Sequence, residues 1–423
     1  MSLQGPVVVV ADQSASDLVG AITAAGAFPV VEASRADAAA AIGKIEPAAV
    51  VLADPDISPL GRKITDALGK VATRSHGLYL PVLARMAPGA KPVIPDALPI
   101  AADASVDRIV ARLGCALRVR TLDATRRRRA ETLAAQGTEV PELADTDPLD
   151  DATVLVLGRG RSYPELSIAV GERLGLIGAL SVETAARYLN ARDVDGVLVS
   201  DGFGPRIVDA FLQVLAENAR FRDLPVAVLA GTAGAIDHGT LPNMEMVAGT
   251  PADVVTRMLP LVRQHAYAGR LQRLLAAIEA KGMIDAETSL FTVAAFLRDL
   301  RRAVSEAAEY GSGLSIARFS FAAPIDRRTS FDAARLVSRL VRSIDFACRA
   351  VDGSILVVFS ATSLRSAHVV ARRIGSVLKH TMLSSATKDR RIDPLITLAT
   401  LKASDTIESL LARVNETSAV AAE

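Results

Sequence analysis

Cysteine is scarce: Cys115 and Cys348 are the only two in the chain, far apart and without metal-ligand spacing around them. That argues against a disulfide framework, and both read as buried thiols of a reducing cytosol. The five histidines show neither ligand spacing nor a partnered nucleophile. No uninterrupted apolar stretch reaches the roughly 18–20 residues that a membrane-spanning helix needs. The N-terminal MSLQGPVVVVADQ lacks a basic start and a long apolar run, so it does not read as a signal peptide. Acidic and basic residues nearly cancel, leaving +1, and no global field draws the chain to DNA or to an anionic membrane. Against these absences, half of the 423 residues are apolar, enough for two or three packed domains. The expected class is a soluble, cytoplasmic, multidomain α/β protein.

Val7–Val10 is a short β-branched run, the pattern of a strand buried on both faces of a parallel sheet. Amphipathic stretches alternate with further runs at Pro29–Val31, Ala48–Leu52 and Tyr79–Leu83, which predicts repeated βα units with right-handed crossovers. A helix is expected from about Val106 toward Ala135; its charge run Arg126–Arg129 reads as a solvated face. Gly137–Asp151, acidic and proline-containing without periodicity, reads as a linker.

The pattern then restarts. Strands are expected at Val154–Leu157, Gly196–Val199, Val226–Leu229 and Met244–Val247, with a helix near Tyr163–Leu174, so the first two segments share a layout. A helix over about Asp253–Ala280 leads into a third segment. There strands (Leu314–Phe321, Ile355–Phe359, Leu395–Ala399) alternate with helices (Leu290–Ala308, Phe331–Ser343, Ser366–Lys379, Thr406–Val414). The expected boundaries are 1–136, a linker over 137–151, 152–280 and 281–423.

The first two segments resemble receiver domains of response regulators, doubly wound flavodoxin-like folds that hold Mg²⁺ beside a phosphate-accepting aspartate. In the first, Asp12 and Asp54 stand at strand ends, with Asp54 the possible phosphoacceptor. Ala11 replaces one expected acid, Ala84 the switch hydroxyl, and no lysine occupies Leu98–Pro99. In the second, Asp201 and Pro205 keep the spacing, but Gly158 and Arg159 replace the acidic pair and Thr250 stands near the lysine position. Mg²⁺ thereby loses most of its oxygen ligands, and Asp201 reads as a turn cap. Gly158-Arg-Gly-Arg resembles a phosphate loop but lacks the glycine spacing and Lys-Ser/Thr of one.

The segment Arg342-Ser-Ile-Asp-Phe-Ala-Cys-Arg-Ala-Val-Asp-Gly-Ser-Ile resembles the GGDEF-domain region R-x-x-D-x-x-x-R-x-G-G-D/E-E-F, an α/β fold with a mainly antiparallel sheet. Gly353 and Ser354 replace its acids, while Val351 and Asp352 replace its glycines. Asp285-Ala-Glu-Thr-Ser-Leu-Phe-Thr-Val resembles the family's entry motif, with Thr292 at a substrate-binding Asn position. Ile316-Ala-Arg-Phe-Ser-Phe aligns with the metal strand, yet offers no carboxylate and inserts Arg318. The N-D and G-H-x-x-G-D elements are unrecognisable in Ala323–Ala333, and the usual C-terminal ending is absent. A two-metal phosphoryl transfer needs anionic ligands, so the resemblance implies no catalytic residues, no metal and no enzyme activity.

The upstream R-x-x-D survives, and in the family it is where product cyclic di-GMP docks. An arginine fork donates to guanine O6 and N7, and a carboxylate accepts from its N1–H and N2–H edge. The cyclic di-GMP-binding candidates are thus Arg342, Asp345 and, by ungapped match on the following helix, Arg373; Arg301 or Arg302 is a further basic candidate. The same spacing at Arg120–Asp123, Arg192–Asp195, Arg206–Asp209, Arg349–Asp352 and Arg390–Asp393 reads as surface pairs or helix contacts. Two receivers before a GGDEF domain is the layout of PleD-type cyclases, and an inactive relative implies a ligand-gated scaffold or adaptor. It further implies a homodimer at the cell pole that delivers cell-cycle proteins (RcdA, CtrA) to the ClpXP protease, without nucleic acid or membrane insertion. A phosphorylation-dependent response regulator and a residual diguanylate cyclase are the alternatives.

Overall fold

The computed structural model describes residues 5–54, 61–75, 77–87, 90, 94–232, 241–321, 327–381 and 393–420. The chain forms two compact bodies, Pro6–Arg120 with Ala144–Arg270, and Met1–Gly5, Thr121–Leu143 and Leu271–Glu423.

The first body holds two parallel sheets. Strands β1 (Val7–Val10), β2 (Val30–Ala33), β3 (Ala49–Leu52), β4 (Val82–Met86) and β5 (Leu98–Ala101) pair in the order β2-β1-β3-β4-β5. Between and after them lie α1 (Ser16–Ala24), α2 (Ala38–Ile45), α3 (Gly61–Arg74) and α4 (Val106–Ala134). Strands β6 (Thr153–Leu157), β7 (Gly175–Ala179), β8 (Gly196–Val199), β9 (Val226–Leu229) and β10 (Met244–Val247) repeat that order as β7-β6-β8-β9-β10. Their helices are α5 (Tyr163–Gly171), α6 (Val182–Ala191), α7 (Pro205–Glu217) and α8 (Pro251–Ala280). The order 2-1-3-4-5 is the flavodoxin-like doubly wound one, which places loop chemistry at the carboxyl ends of the strands. β1, β3 and β8 are buried at every position, as a sheet covered on both faces requires.

Three strands escape the sequence pattern. β5 carries Pro99 and β7 carries Gly175 and Gly178; each is an edge strand, where a missing donor or side chain is tolerated. The third is Phe346–Arg349, a four-residue edge strand of the remaining sheet. The β4 run also starts later than its apolar lead-in, at Val82 rather than Tyr79.

The first body also contains charge where strand and helix patterns promised only packing. Arg112 of α4 and Glu245 of β10 are 1% and 2% exposed and ion-paired. Arg112 also donates to the Pro242 carbonyl (2.9 Å) and the Met244 carbonyl (2.8 Å), and Arg257 reaches the other Glu245 oxygen at 3.0 Å. Cys115 and Cys348 are both buried and free, and burial pushes each thiol up to about 12.

In the second body, α9 (Val293–Tyr310), β11 (Leu314–Phe321), α10 (Arg327–Leu340), β12 (Phe346–Arg349), β13 (Ile355–Ser360), α11 (Leu364–His380), β14 (Pro394–Thr400) and α12 (Ile407–Val420) follow in turn. The sheet is antiparallel, ordered β12-β13-β11-β14. Strand alternation sorts its faces. Ile316, Phe346 and Val358 pack toward α9 and α12, whereas Phe319, Val357 and Phe359 pack toward α10 and α11.

One reading of the sequence fails. The run Arg126–Arg129 is not a solvated face: Arg128 and Arg129 are 4% and 1% exposed. Arg128 pairs with Asp299 of α9 (3.2 Å) and Glu306 (2.9 Å), and Arg129 pairs with Glu279. Arg126 and Arg127 fold back on the fully buried Asp123. A buried cation needs such partners, and none of them is visible within four residues except Asp123. The expected linker, 137–151, crosses from one body to the other at Leu143–Ala144. Val140 and Leu143 pack on the core of the second body, and Pro148–Asp150 is a 3-10 turn. In the first body Arg270 holds Thr146, Asp147 and Asp151.

Candidate functional site

The turn between α10 and β12 carries the R-x-x-D residues. The Asp345 amide donates to the Arg342 carbonyl (3.0 Å), so four residues reverse the chain. Both side chains line a cavity of about 140 Å³ together with Glu279, Ser289, Phe291 and Ser338, among others. Arg342 is half-buried and makes no ion pair among the described residues. Asp345 is 5% exposed; its carboxylate accepts the Ser360 amide at 3.0 Å. Burial pushes that carboxyl up to about 7, against the opposing pull of Arg342, the Ser360 amide and Arg129.

Arg129 is the residue that sequence reasoning missed. It donates to the Asp345 carbonyl (2.9 Å) and lies over the Phe291 ring, 5.0 Å from its centroid. Burial lowers its pKa to about 10, which leaves it charged at neutral pH. The only available signal was a run of four consecutive arginines.

Arg373 lies on the exposed outer side of α11 and is not among the cavity's lining residues. Arg301 is exposed on α9, and Arg302 sits 3.7 Å from Glu131. The other R-x-x-D spacings have separate explanations. Arg120 donates to the Tyr79 carbonyl, Asp195 faces His265 (3.2 Å), and Arg349 donates to Ser330 Oγ (2.7 Å). Arg206 is exposed at the start of α7, and Arg390 lies outside the described residues, as do all of 323–326.

At the hairpin position between β12 and β13, Arg318 projects from β11 into a closed set of partners. Its Nε donates to Ser354 Oγ (3.1 Å), one amino group to Asn415 (2.6 Å) and the other to Asp352. Although burial opposes it, bonds from Ser354 and Arg318 hold the Asp352 carboxyl below the ordinary range. Thr292 caps α9, accepting from the Ala295 amide. Two Mg²⁺ ions, as an active cyclase of this family needs, do not fit: the Arg318 guanidinium occupies the strand that would have to supply two carboxylates.

The receiver-like acids fare similarly. Asp54 accepts the Asp12 amide (2.8 Å), but Arg35 lies 2.6 Å from Asp12 and 3.7 Å from Asp54, a cation already placed where a metal would be needed. Ala84 is buried in β4, and Thr250 bonds Asp253 (2.7 Å). Asp201 accepts the amides of Arg161 and Ser162 (3.1 Å each). A Cβ on Gly160 would come within 2.3 Å of the Asp201 carboxyl, so that glycine serves a self-contained anion loop whose ligand is the protein's own carboxylate. Among the described residues no group of three or more His, Cys, Asp or Glu could hold a metal ion, and no helix is long and apolar enough to cross a membrane.

No protein-family model matches the chain, and the comparison with curated proteins finds no match. Among solved structures, the chain is similar to the coiled coil and GGDEF domain of DgcB from Caulobacter crescentus in complex with c-di-GMP. The identity is 19%, over 35% of this chain and 84% of that one, with a TM-score of 0.30. The GGDEF domain of FimX from Pseudomonas aeruginosa matches at 14% identity over 33% and 93%, TM-score 0.31. PelD from Pseudomonas aeruginosa, in complex with c-di-GMP, matches at 20% over 40% and 58%, TM-score 0.25. Likenesses this distant carry no argument about activity, which rests on the residues.

Proposed function

We propose that the chain is a catalytically inactive GGDEF-type effector that binds cyclic di-GMP at the Arg342–Asp345 turn. The observation that carries this reading is the state of the two side chains. Arg342 lines a cavity without an ion-pair partner, and Asp345 is held rigidly beside it by Ser360 and Arg129. A guanine edge offers N1–H and N2–H to such a carboxylate and O6 and N7 to such a fork. The Arg318–Asp352 pairing at the hairpin supports the absence of cyclase activity, since a fixed cation opposes the two metals that phosphoryl transfer needs.

The finer reading is a PopA-type scaffold, with two receiver-like domains in front, that joins a homodimer at the cell pole and presents RcdA and CtrA to ClpXP. Ligand would bias that scaffold only through its differential affinity for two states. Against the response-regulator alternative stands Arg35, whose charge is already seated on Asp12 beside Asp54. Equilibrium dialysis against cyclic di-GMP, with intact mass after acetyl phosphate treatment, tests the choice. Retention of ligand by an unphosphorylated protein is expected; a phosphate on Asp54 with no ligand retained would overturn the reading.

A further inference from the structure

A net charge of +1 hides a strongly one-sided surface. α10 carries Arg327, Arg328, Arg335 and Arg339 against the single Asp332, and α11 carries Arg365, Arg372, Arg373 and Lys379 with no acid at all. Both helices cover the same face of the antiparallel sheet, burying Ala333, Val337, Ala371 and Leu378 in one cluster. The arginines are therefore left on the outer side, and all seven on the two helices are exposed. Arg327 and Arg335 are engaged by Glu287 and Lys379 by Asp393. Arg328, Arg339, Arg365, Arg372 and Arg373, with Arg342 in the turn beyond α10, have no ion pair among the described residues.

Surface acids normally interleave with such a row, because like charges on neighbouring turns repel. Their absence leaves a cationic face with the length of its helices, about 20–25 Å at 1.5 Å per residue. We propose that this α10–α11 face docks the phosphate backbone of duplex nucleic acid.

Three features favour that occupant. Seven of the eight cations on the two helices are arginines, whose planar fork pairs with phosphate bidentately. The apolar sides of both helices are spent on the sheet, leaving only Leu364 and Val369 exposed on α11, too little to enter a lipid layer. No Phe, Tyr or Trp ring stands exposed on either helix, Phe331 being half-buried, so single strands find no large ring to stack on. Where the proposal meets the cyclic di-GMP reading, it rests on it: Arg342 belongs to both, so the dinucleotide should compete with the duplex.

The test is fluorescence anisotropy of the full chain with a labelled duplex of about 20 bp and arbitrary sequence, titrated across salt. Six phosphate contacts predict a log–log salt slope near −5. A triple variant, Arg328→Ala with Arg365→Ala and Arg372→Ala, should lose about half that slope and at least tenfold in affinity at low salt. The same variant should still take up cyclic di-GMP, since none of the three lines its cavity. Absence of duplex binding at low salt, unchanged binding by the triple variant, or binding to phosphatidylserine vesicles in place of duplex would each overturn the proposal. Duplex binding that cyclic di-GMP fails to displace would preserve the docking face and count against the nucleotide site instead.

Discussion

Asp345 offers the sharpest perturbation. Its carboxyl is pushed from the ordinary 3.8 up to about 7, chiefly by burial, so the folded state binds its proton more tightly than the unfolded chain does. The sign follows from linkage: stability is highest below the unfolded value and is lost as pH rises toward 7. A rise of that size amounts to about 4 kcal/mol in all, of which about 2.5 kcal/mol falls between pH 5 and pH 8. Asp345→Asn removes the titration while its amide oxygen still accepts the Ser360 N–H. The variant should gain about 2.5 kcal/mol on the wild type between those two pH values, read as the difference of their unfolding curves. In the proposed pairing the guanine edge donates to the ionised carboxylate, so wild-type affinity for cyclic di-GMP should be about tenfold weaker at pH 6 than at pH 8. Parallel stability profiles for wild type and variant would show that the Asp345 carboxyl is not raised by burial.

The remaining expectations concern buried charge and the anion loop. Glu245→Ala leaves Arg112 buried and uncompensated and should cost about 3–5 kcal/mol, seen as a lowered Tm of the body that contains both parallel sheets. Asp299→Ala takes one of two acids from the buried Arg128 and leaves it Glu306, so it should cost less, about 1–3 kcal/mol in the other body, with cyclic di-GMP affinity falling as Arg129 and the Asp345 turn loosen. Gly160→Ala drives a methyl into the Asp201 carboxyl and should destabilise by about 1–3 kcal/mol, measured by chemical denaturation.

Much of the architecture was legible because its determinants are local. Runs such as Val7–Val10, Gly196–Val199 and Leu314–Phe321 declare buried strands, and their recurrence declared the repeated parallel sheets. β5 and β7 were hidden by Pro99, Gly175 and Gly178, residues that an edge position tolerates but a propensity argument rejects. The buried arginines failed for a different reason. Arg112 and Arg129 are satisfied by Glu245 and Glu279, at least 130 residues away, and no window of sequence shows such a partner. In the site itself, the R-x-x-D spacing marked Arg342 and Asp345, whereas the burial of Asp345 and the bond from Arg129 depend on tertiary contacts alone.

The proposed function amounts to a nucleotide site without an active site. Calorimetric titration of cyclic di-GMP into the wild type and Arg342→Ala, with GTP turnover followed in parallel, tests it directly. Binding by the wild type, its loss in the variant and no dinucleotide formed from GTP is the predicted result. A wild type that binds nothing, or one that converts GTP, would contradict it.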